Sequence, residues 1–404
     1  MPEAVIVAAA RTPIGRAFKG SFKDERADNM AAFIVDTVLN KVPQLDRQSI
    51  DDLILGCGLP GGEQGFNMGR VVAILAGMPA VPGCTITRYC SSSLQSIRMA
   101  AHAVRAGEGD AFIAAGVEGV SRFAVGGSSD HTPGTQNPIF QDSALRTLAR
   151  MNGDQGTWTP PQGLADVYIA MGETAENVAE IENVTREEMD DYAFRSQQRT
   201  GAAIDRGFYE REITPYTLAD GTVVSADDCP RPSTDREKLG SLAPVFRPTG
   251  RVTAGNACPL NDGAAAVIVM SDTKAKALGI KPLARIVSSG VSGLDPEIMG
   301  LGPIAATQQA LARAGMTIND IDLVEINEAF AAQVIASARG LGIDENRLNV
   351  NGGAIALGHP FGMTGARIMG TLINGLEDSD KTIGLETMCV GGGQGMAMII
   401  ERLS

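Results

Sequence analysis

A short segment of the chain occurs twice, and this repeat restricts the fold more than any other feature. Residues 49–56 resemble residues 318–325, and a helical pattern precedes each copy. After each copy come a distinctive residue beside a helix start, the helix itself, a strand and a glycine. That residue is Cys90 in the first half and His359 in the second. Two similar halves sharing one core would bring these helix ends near a common pseudo-twofold axis.

Strands and helices alternate in both halves. Apolar runs at residues 4–10, 111–116 and 264–270 indicate buried strands, and the apolar spacing at residues 28–42 is that of an amphipathic helix. This alternation is typical of an α/β protein whose sheet is covered by helices on both faces. A length of 404 residues and an apolar fraction of 44% are sufficient for a large duplicated core.

The regular alternation of strands and helices is interrupted between about residues 121 and 250. Glycine-, serine- and proline-rich stretches there surround isolated helical runs, and such segments often carry ligand or subunit contacts. We therefore predict an N-terminal half at residues 1–120 plus 251–272, an insertion at residues 121–250, and a C-terminal half at residues 273–404.

His359 lies in the most distinctive stretch of the chain, residues 351–367. It occupies a glycine-lined turn between Gly358 and Pro360, just before a helix. Close backbone and little side-chain cover suit a base at the floor of a pocket. Taken alone, this residue is better explained as a turn histidine with a satisfied hydrogen bond. The sequence surroundings of two cysteines, Cys90 and Cys389, make a functional role for His359 the better explanation.

Cys90 follows a predicted strand and opens a predicted helix. The partial positive charge of a helix N-terminus favours thiolate over thiol. A lone cysteine there is more often a small hydrophobic residue. The serines at residues 91–93 are poor core residues, however, and they favour a functional role.

Cys389 precedes three consecutive glycines at residues 391–393. Uncovered backbone N–H groups beside a thiol can form an oxyanion hole. A phosphate-binding loop is the weaker alternative, because no Lys-Ser/Thr pair follows and the next segment is a strand. Asn327 and Glu328 follow another buried strand, where an isolated residue of this kind is usually a helix cap.

Several classes of protein are disfavoured by the bulk properties. A net charge of −13 argues against nucleic acid as a partner, and no apolar run is long enough to cross a bilayer. Six cysteines without paired spacing suit a reducing compartment, and three histidines are too few for a motif-based zinc site. Neither end carries a targeting signal. We predict a cytoplasmic, metal-free protein with no membrane partner.

Four separated motifs now carry a family resemblance. Over essentially its full length the chain resembles the thiolases, the acetyl-CoA acyltransferases; the matching stretches are residues 88–95, 327–330, 351–360 and 389–393. The resemblance implies two βαβαβαββ halves in a layered α-β-α-β-α core with a long loop insertion. It also implies ping-pong cleavage of 3-ketoacyl-CoA by CoA, or the reverse Claisen condensation of two acetyl-CoA molecules.

The resemblance implies a role for each candidate residue. Cys90 would carry the acyl group, and His359 would activate Cys90. His359 and a water held by Asn327 would hold the thioester oxygen. Cys389, with a pKa near neutral, would move the proton in either direction. Backbone N–H groups of Cys90 and Gly391 would receive the acyl-enzyme oxygen. No cofactor is implied, since coenzyme A is a substrate.

Three positions depart from the family pattern. Ser93 replaces a common glycine, Ala170 stands where acetoacetyl-specific members tend to have histidine, and Cys258 stands where many have a serine near the pantetheine. These departures put strict short-chain specificity in doubt. Met171 and Phe330 would line the acyl pocket by resemblance, although plain core packing explains them equally well.

Coenzyme A is a polyanion, so an acidic protein needs local cations to bind it. Residues 231–251 contain five, and we predict that this stretch contacts the nucleotide end; they are Arg231, Arg236, Lys238, Arg247 and Arg251. Arg231 is the best single candidate. A solvated charged loop is the alternative. A homodimer or homotetramer is usual for the family, and a partner subunit for fatty-acid oxidation is a further expectation.

Two other functions remain open on the same fold. A decarboxylating condensing enzyme or related synthase usually pairs the cysteine with two histidines, or with a histidine and an asparagine or glutamate. Such enzymes lack the second cysteine present here as Cys389. A catalytically silent CoA-binding subunit is disfavoured by the intact set of Cys90, Asn327, His359 and Cys389.

Overall fold

The structure is a computed structural model that describes residues 2–123, 134–153 and 156–404. Its strands, in chain order β1 to β12, are Ala4–Arg11, Gly15–Arg16, Asp52–Cys57, Gly83–Ile86, Ala111–Gly119, Tyr216–Thr217, Val223–Val224, Asn261–Ser271, Ala284–Gly293, Leu323–Ile326, Ile383–Val390 and Gln394–Arg402. Its α-helices, α1 to α12, are Ala27–Asn40, Met68–Leu75, Ser92–Ala106, Gln141–Met151, Met171–Ile181, Arg186–Asp205, Arg236–Gly240, Asp272–Ala277, Gly302–Ala314, Ala331–Leu341, Ala354–Leu357 and Thr364–Asp378.

The main sheet consists of two halves with the same strand order. The N-terminal half runs β4-β3-β5-β8-β1, and the C-terminal half runs β10-β11-β12-β9. The neighbours also match in direction: β3–β5 and β10–β11 are parallel, and the next two pairs of each half are antiparallel. The two first strands, β1 and β9, join the halves through only two residue pairs. The predicted duplication is confirmed.

The repeated segment occupies equivalent places in the two halves. Its first copy leads into β3 and its second into β10, which are the second main strands of their halves. Where the N-terminal half has β4 as its edge, the C-terminal half has only a single parallel bridge between Val324 and Leu348. The second half therefore has the same strand order as the first, with one edge strand fewer.

Three apolar clusters separate the layers. Helices α1 and α2 cover one outer face of the N-terminal strands, and α9 and α10 pack on the C-terminal strands. Helices α3 and α12 lie between the two half-sheets. Twelve of the 15 residues of α12 are buried, as expected for a helix enclosed on all sides. These two central helices are the ones that follow Cys90 and His359.

The insertion supplies helices α4 to α7 and lies against the C-terminal half. Tyr192 and Ser196 of α6 donate hydrogen bonds of 2.9 Å and 2.6 Å to the carboxylate of Glu328. The predicted boundaries of the three parts remain predictions. The glycine-rich stretch at residues 126–137 lies largely outside the described residues, as does His131. Among the helices described, none is both long and apolar enough to span a membrane.

Candidate active site

Cys90 lies in a tight turn between β4 and α3. The strand ends at Ile86, Tyr89–Ser91 form a 3-10 turn, and α3 begins only at Ser92. Cys90 therefore precedes the α-helix, whereas the sequence had suggested that Cys90 opens it. Tyr89 has a φ of 42°, a left-handed conformation that costs energy for a bulky side chain. Strain of this kind, next to a nucleophile candidate, is a common feature of functional sites.

The Cys90 sulfur faces backbone donors and is almost fully buried. Burial raises the pKa of the thiol to about 11, although the N–H groups of Gly391 and of Cys90 itself oppose this rise. The expectation that the helix N-terminus makes Cys90 a thiolate is therefore wrong, because burial outweighs the nearby N–H groups. The two N–H groups are nevertheless aimed at the sulfur, where an acyl oxygen would need them.

The glycine turn at residues 391–393 connects β11 to β12. Gly392 and Gly393 have φ values of 74° and 77°, which L side chains rarely adopt. A Cβ at Gly391 would lie 3.4 Å from the Tyr89 ring and 3.5 Å from the Met171 sulfur. This turn therefore places the Gly391 N–H beside the nucleophile turn and beside Met171.

The hydrogen bonds of His359 determine its tautomer. Thr364 Oγ1 donates its only proton to the carbonyl of Pro360 at 2.7 Å, so it accepts from His359 Nδ1 at 2.6 Å. Nε2 then carries the lone pair, and Asn327 Nδ2 donates to it at 3.2 Å. The backbone N–H of His359 donates to Asn261 at 2.9 Å. The ring is thus fixed with its basic nitrogen towards Asn327.

His359 is 1% exposed and is well covered by side chains, contrary to the expectation of little cover. Burial, reinforced by the charge of Arg367, lowers the pKa of its imidazole to about 3. The ring is therefore neutral at physiological pH. Asn327 Oδ1 is buried without a hydrogen-bond partner among the described residues. Such an orphaned oxygen fits a bound water or ligand at this point.

Cys389 is the last residue but one of β11 and is fully buried. Burial raises its pKa well above the ordinary thiol value, and the nearby thiols of Cys90 and Cys258 raise it further. The expected pKa near neutrality is therefore wrong for Cys389. The same interactions place the three sulfurs within electrostatic reach of one another, although they are far apart in the chain.

A cavity of about 820 Å³ adjoins this group of thiols through Cys258, whereas Cys90 and Cys389 do not line it. Cys258 and Cys229 lie on its wall, and four cationic side chains line it, with no carboxylate among the described lining residues; the cations are Arg16, Lys19, Arg231 and Lys238. Lys238 pairs with Asp235 at 3.0 Å, whereas the other three form no ion pair within the described parts of the chain. The acidic protein therefore has a cationic entrance at this point.

Only two of the five predicted cations line this cavity. Arg231 and Lys238 do, whereas Arg236 pairs with Asp191 and lies over the Phe194 ring. Arg247 is buried against Glu173, and Arg251 donates to backbone carbonyls of the insertion. These three do not line the cavity, because acidic or carbonyl partners from the insertion hold them; within the stretch, the predicted contact with the nucleotide stays a prediction for Arg231 and Lys238.

Arg16 and Lys19 were missed by sequence reasoning. They follow β1 and lie more than 200 residues from Arg231 in the chain. The only signal available was two unexplained cations in a loop after the first strand. Local spacing gives no information about which loops meet, so no pattern in the sequence could have assigned them.

The predicted acyl-pocket residues lie near the site. Phe330 is buried and stacks edge-on with Phe246, with ring centroids 6.4 Å apart. Met171, at the start of α5, reaches the glycine turn. The N–H of Cys258 donates to the carbonyl of Ala329 at 3.0 Å, which fixes the cavity wall to the Asn327 segment. Phe246 had not been predicted.

Ser93 and Ala170 have different surroundings. The Ser93 hydroxyl accepts from the Ala366 N–H at 2.9 Å and so joins α3 to α12, the two central helices. Ala170 is the exposed residue just before α5. Within residues 2–123, 134–153 and 156–404, no group of acidic, cysteine and histidine side chains is arranged to hold a metal ion.

Comparisons with known proteins agree with this geometry. Residues 4–273 match the family described as "Thiolase, N-terminal domain", and residues 280–402 match "Thiolase, C-terminal domain". The 3-ketoacyl-CoA thiolase of Shewanella sp. (strain ANA-3) is 43% identical over 414 residues, which cover 100% of both chains. Among solved structures, the Bacillus anthracis acetyl-CoA acetyltransferase has a TM-score of 0.86 and 37% identity, covering 100% of this chain and 99% of its own. Human mitochondrial 3-ketoacyl-CoA thiolase in complex with CoA has a TM-score of 0.86 and 36% identity, covering 99% and 98%.

Proposed function

The chain belongs to the thiolase family, and we propose that Cys90 carries the acyl group in the reaction that it catalyses. The protein is an acyltransferase that cleaves 3-ketoacyl-CoA with CoA, or condenses acyl-CoA in the reverse direction. The observation that supports the proposal is that the thiols of Cys90, Cys258 and Cys389 interact electrostatically, and that Cys258 also lines a cavity with a cationic entrance.

In the first half-reaction, Cys90 attacks the ketone carbon of the bound 3-ketoacyl-CoA. His359 Nε2 takes the thiol proton, which lets a buried thiol with a raised pKa act as a nucleophile at neutral pH. The new tetrahedral oxyanion is held by the N–H groups of Gly391 and Cys90. The carbon–carbon bond then breaks, leaving an acyl thioester on Cys90 and the enolate of acetyl-CoA.

The enolate oxygen needs a second set of donors. A water held by Asn327, together with protonated His359 Nε2, supplies them, and the unpartnered Asn327 Oδ1 is the group that would hold this water. Cys389 gives its proton to the enolate carbon and releases acetyl-CoA. In the second half-reaction, the Cys389 thiolate takes the proton of an incoming CoA thiol, which then attacks the acyl group on Cys90. The bond between the acyl group and Cys90 breaks, acyl-CoA leaves, and the Cys90 thiolate regains its proton from His359 Nε2.

Coenzyme A is a substrate, and we propose no further cofactor. Its pantetheine arm runs along the cavity past Cys258, and its phosphates lie near Arg16, Lys19 and Arg231. The acyl chain of the substrate extends towards Met171 and Phe330. We also propose that the protein acts as a homodimer or homotetramer in the cytoplasm. A partner subunit for fatty-acid oxidation is a further candidate for a binding partner there.

The loss of acetoacetyl-CoA on addition of CoA tests the proposed activity directly. Turnover is expected with acetoacetyl-CoA or with longer 3-ketoacyl-CoA substrates, and a series of chain lengths would show which of these it prefers. No turnover at any chain length would remove the enzyme assignment and favour the silent CoA-binding subunit. Decarboxylation of a malonyl thioester would instead favour a condensing enzyme.

Replacing Arg231 by alanine is expected to weaken CoA binding without affecting the chemical step. One exposed charge contact contributes up to about 1 kcal/mol, so the KM for CoA should rise by about two- to fivefold with kcat unchanged. The difference should shrink as salt is added, because the contact is screened. Arg236→Ala is the matched control, because Arg236 belongs to the same stretch but does not line the cavity. An equal rise in both variants would contradict the assignment.

A further inference from the structure

A third buried residue connects the two catalytic turns. Glu118 is the last residue but one of β5 and is fully buried. In the duplicated fold, β5 corresponds to β11. Glu118 pairs with Gly263, and Cys389 pairs with Gly395, in each case one step before the end of the strand pair. Glu118 therefore occupies in the first half the place that Cys389 occupies in the second.

The Glu118 carboxylate accepts hydrogen bonds from three segments of the chain. Its donors are the N–H groups of Gly58 at 2.7 Å, Leu59 at 3.2 Å and Gly362 at 2.8 Å, and the side-chain amide of Gln64 at 3.1 Å. The Cys57 thiol adds a weak donor at 3.6 Å. No lysine or arginine pairs with it in the described regions. A buried carboxylate surrounded only by donors serves to hold those donors together.

One of these segments leads to the nucleophile. The Gly58 carbonyl accepts from Thr87 Oγ1 at 2.8 Å, and the same Thr87 oxygen accepts from the N–H of Tyr89 at 3.3 Å. Tyr89 is the strained residue immediately before Cys90. The chain of contacts from Glu118 to the nucleophile turn is therefore only three hydrogen bonds long.

Another segment leads to the histidine. Gly362 lies three residues after His359, and the Phe361 ring between them packs edge-on against the imidazole at 5.3 Å. The turn is tightly enclosed, since a Cβ at Gly362 would lie 2.2 Å from the carbonyl oxygen of Val117. A Cβ at Gly58 would lie 2.6 Å from Phe361. The Gly58 segment and the Phe361–Gly362 segment are therefore in close contact beside the carboxylate.

We propose that Glu118 is a positioning residue that sets the separation between the Cys90 turn and the His359 turn. Glu118 makes no hydrogen bond to Cys90 or His359 among the described contacts, and its charge acts on the Cys90 thiol only through space. The carboxylate accepts hydrogen bonds from the Gly58 and Gly362 segments at once, and these segments lead to the Cys90 turn and the His359 turn. Its loss therefore lets the two turns move relative to each other while the fold is kept. This inference rests on the roles proposed above for Cys90 and His359.

The test is Glu118→Gln, studied by single-turnover acylation with mass spectrometry of the Cys90 peptide. An amide has one acceptor oxygen, and its NH₂ group would face N–H donors, so at least one turn is released. A misplacement of about 1 Å costs up to about 100-fold, and we expect acylation to slow by about 10- to 100-fold with KM for acyl-CoA changing by less than about twofold.

A matched control separates positioning from general loss of stability. Glu176 is also a buried glutamate that accepts backbone N–H groups, from Arg251 at 2.9 Å and Val252 at 2.8 Å, but it lies in the insertion. Glu176→Gln should acylate within about twofold of the unchanged protein. If Glu118→Gln fails to fold, Gln64→Met removes one of the donors to Glu118, together with the bonds of Gln64 to the Leu59 carbonyl and the Gly119 N–H, and a smaller fall of about threefold is expected.

The outcomes distinguish this inference from the function on which it rests. No Cys90 adduct in the unchanged protein would overturn the proposed function. A normal adduct in the unchanged protein, formed equally fast by Glu118→Gln, would overturn the positioning role alone. Equal slowing of Glu118→Gln and Glu176→Gln, at equal loss of stability to urea, would also overturn it.

Discussion

Cys90→Ser is expected to abolish acyl-enzyme formation. A serine hydroxyl is a far weaker acid than a thiol, and a neutral imidazole with a lowered pKa cannot deprotonate it effectively. Loss of a residue that carries the covalent intermediate should reduce turnover by on the order of 10³-fold or more. Intact-mass measurement after mixing with acetoacetyl-CoA should show the acetyl adduct on the unchanged protein and none on the variant.

Cys84→Ser is the control for this substitution. Cys84 lies on edge strand β4, is half-buried, and does not line the cavity. The variant should form the adduct normally. A normal adduct on Cys90→Ser would transfer the nucleophile to another residue, with Cys389 and Cys258 as the next candidates.

Cys389→Ser should separate the two half-reactions in the condensing direction. Acetyl-CoA should still acylate Cys90, because His359 and the backbone donors of the Cys90 site remain in place and the CoA thiolate, a stable anion, can leave without a proton from residue 389. The acetyl-enzyme should then persist, because no thiolate is available to remove the α-proton of a second acetyl-CoA. Loss of a general acid–base group predicts a fall in turnover on the order of 10²- to 10⁴-fold. Quenched-flow mass spectrometry would follow both the rise and the decay of the adduct.

The contradicting results for Cys389→Ser are equally specific. Normal turnover would remove the proposed proton-transfer role. Failure to form the adduct would indicate that Cys389 is needed for the first step, or that the serine disturbs the glycine turn beside it. A normal melting temperature together with a persistent adduct is the combination that the mechanism predicts.

The fold was largely predictable because its signals are local. The repeat at residues 49–56 and 318–325 predicted the duplication, and the apolar periodicity located most helices and strands within a few residues. The enclosed position of α12 was less evident. Its polar members, such as Thr364, Arg367 and Thr371, resemble a solvated face until the two half-sheets are seen to close over them.

The candidate site could be assembled from motifs but its electrostatics could not. The helix-start argument predicted a Cys90 thiolate, whereas burial outweighs the nearby N–H groups and keeps the thiol protonated. The sequence grouped five cations at residues 231–251 as one basic stretch, with Arg231 the best candidate, yet Arg247 and Arg251 are bound by the insertion itself. Burial determines the protonation of Cys90, and pairing between distant residues determines which cations are free to bind a ligand. Local residue spacing predicts neither of these.

The most direct test of the account is a crystal structure of Cys389→Ser trapped as its acetyl-enzyme with CoA bound. The account predicts an acetyl thioester on Cys90 whose oxygen accepts from the N–H groups of Gly391 and Cys90 at about 3 Å, with His359 Nε2 and residue 389 facing the same group. CoA should lie in the cavity lined by Arg231. An acetyl group on another residue, or an acyl oxygen turned away from both N–H groups, would contradict it.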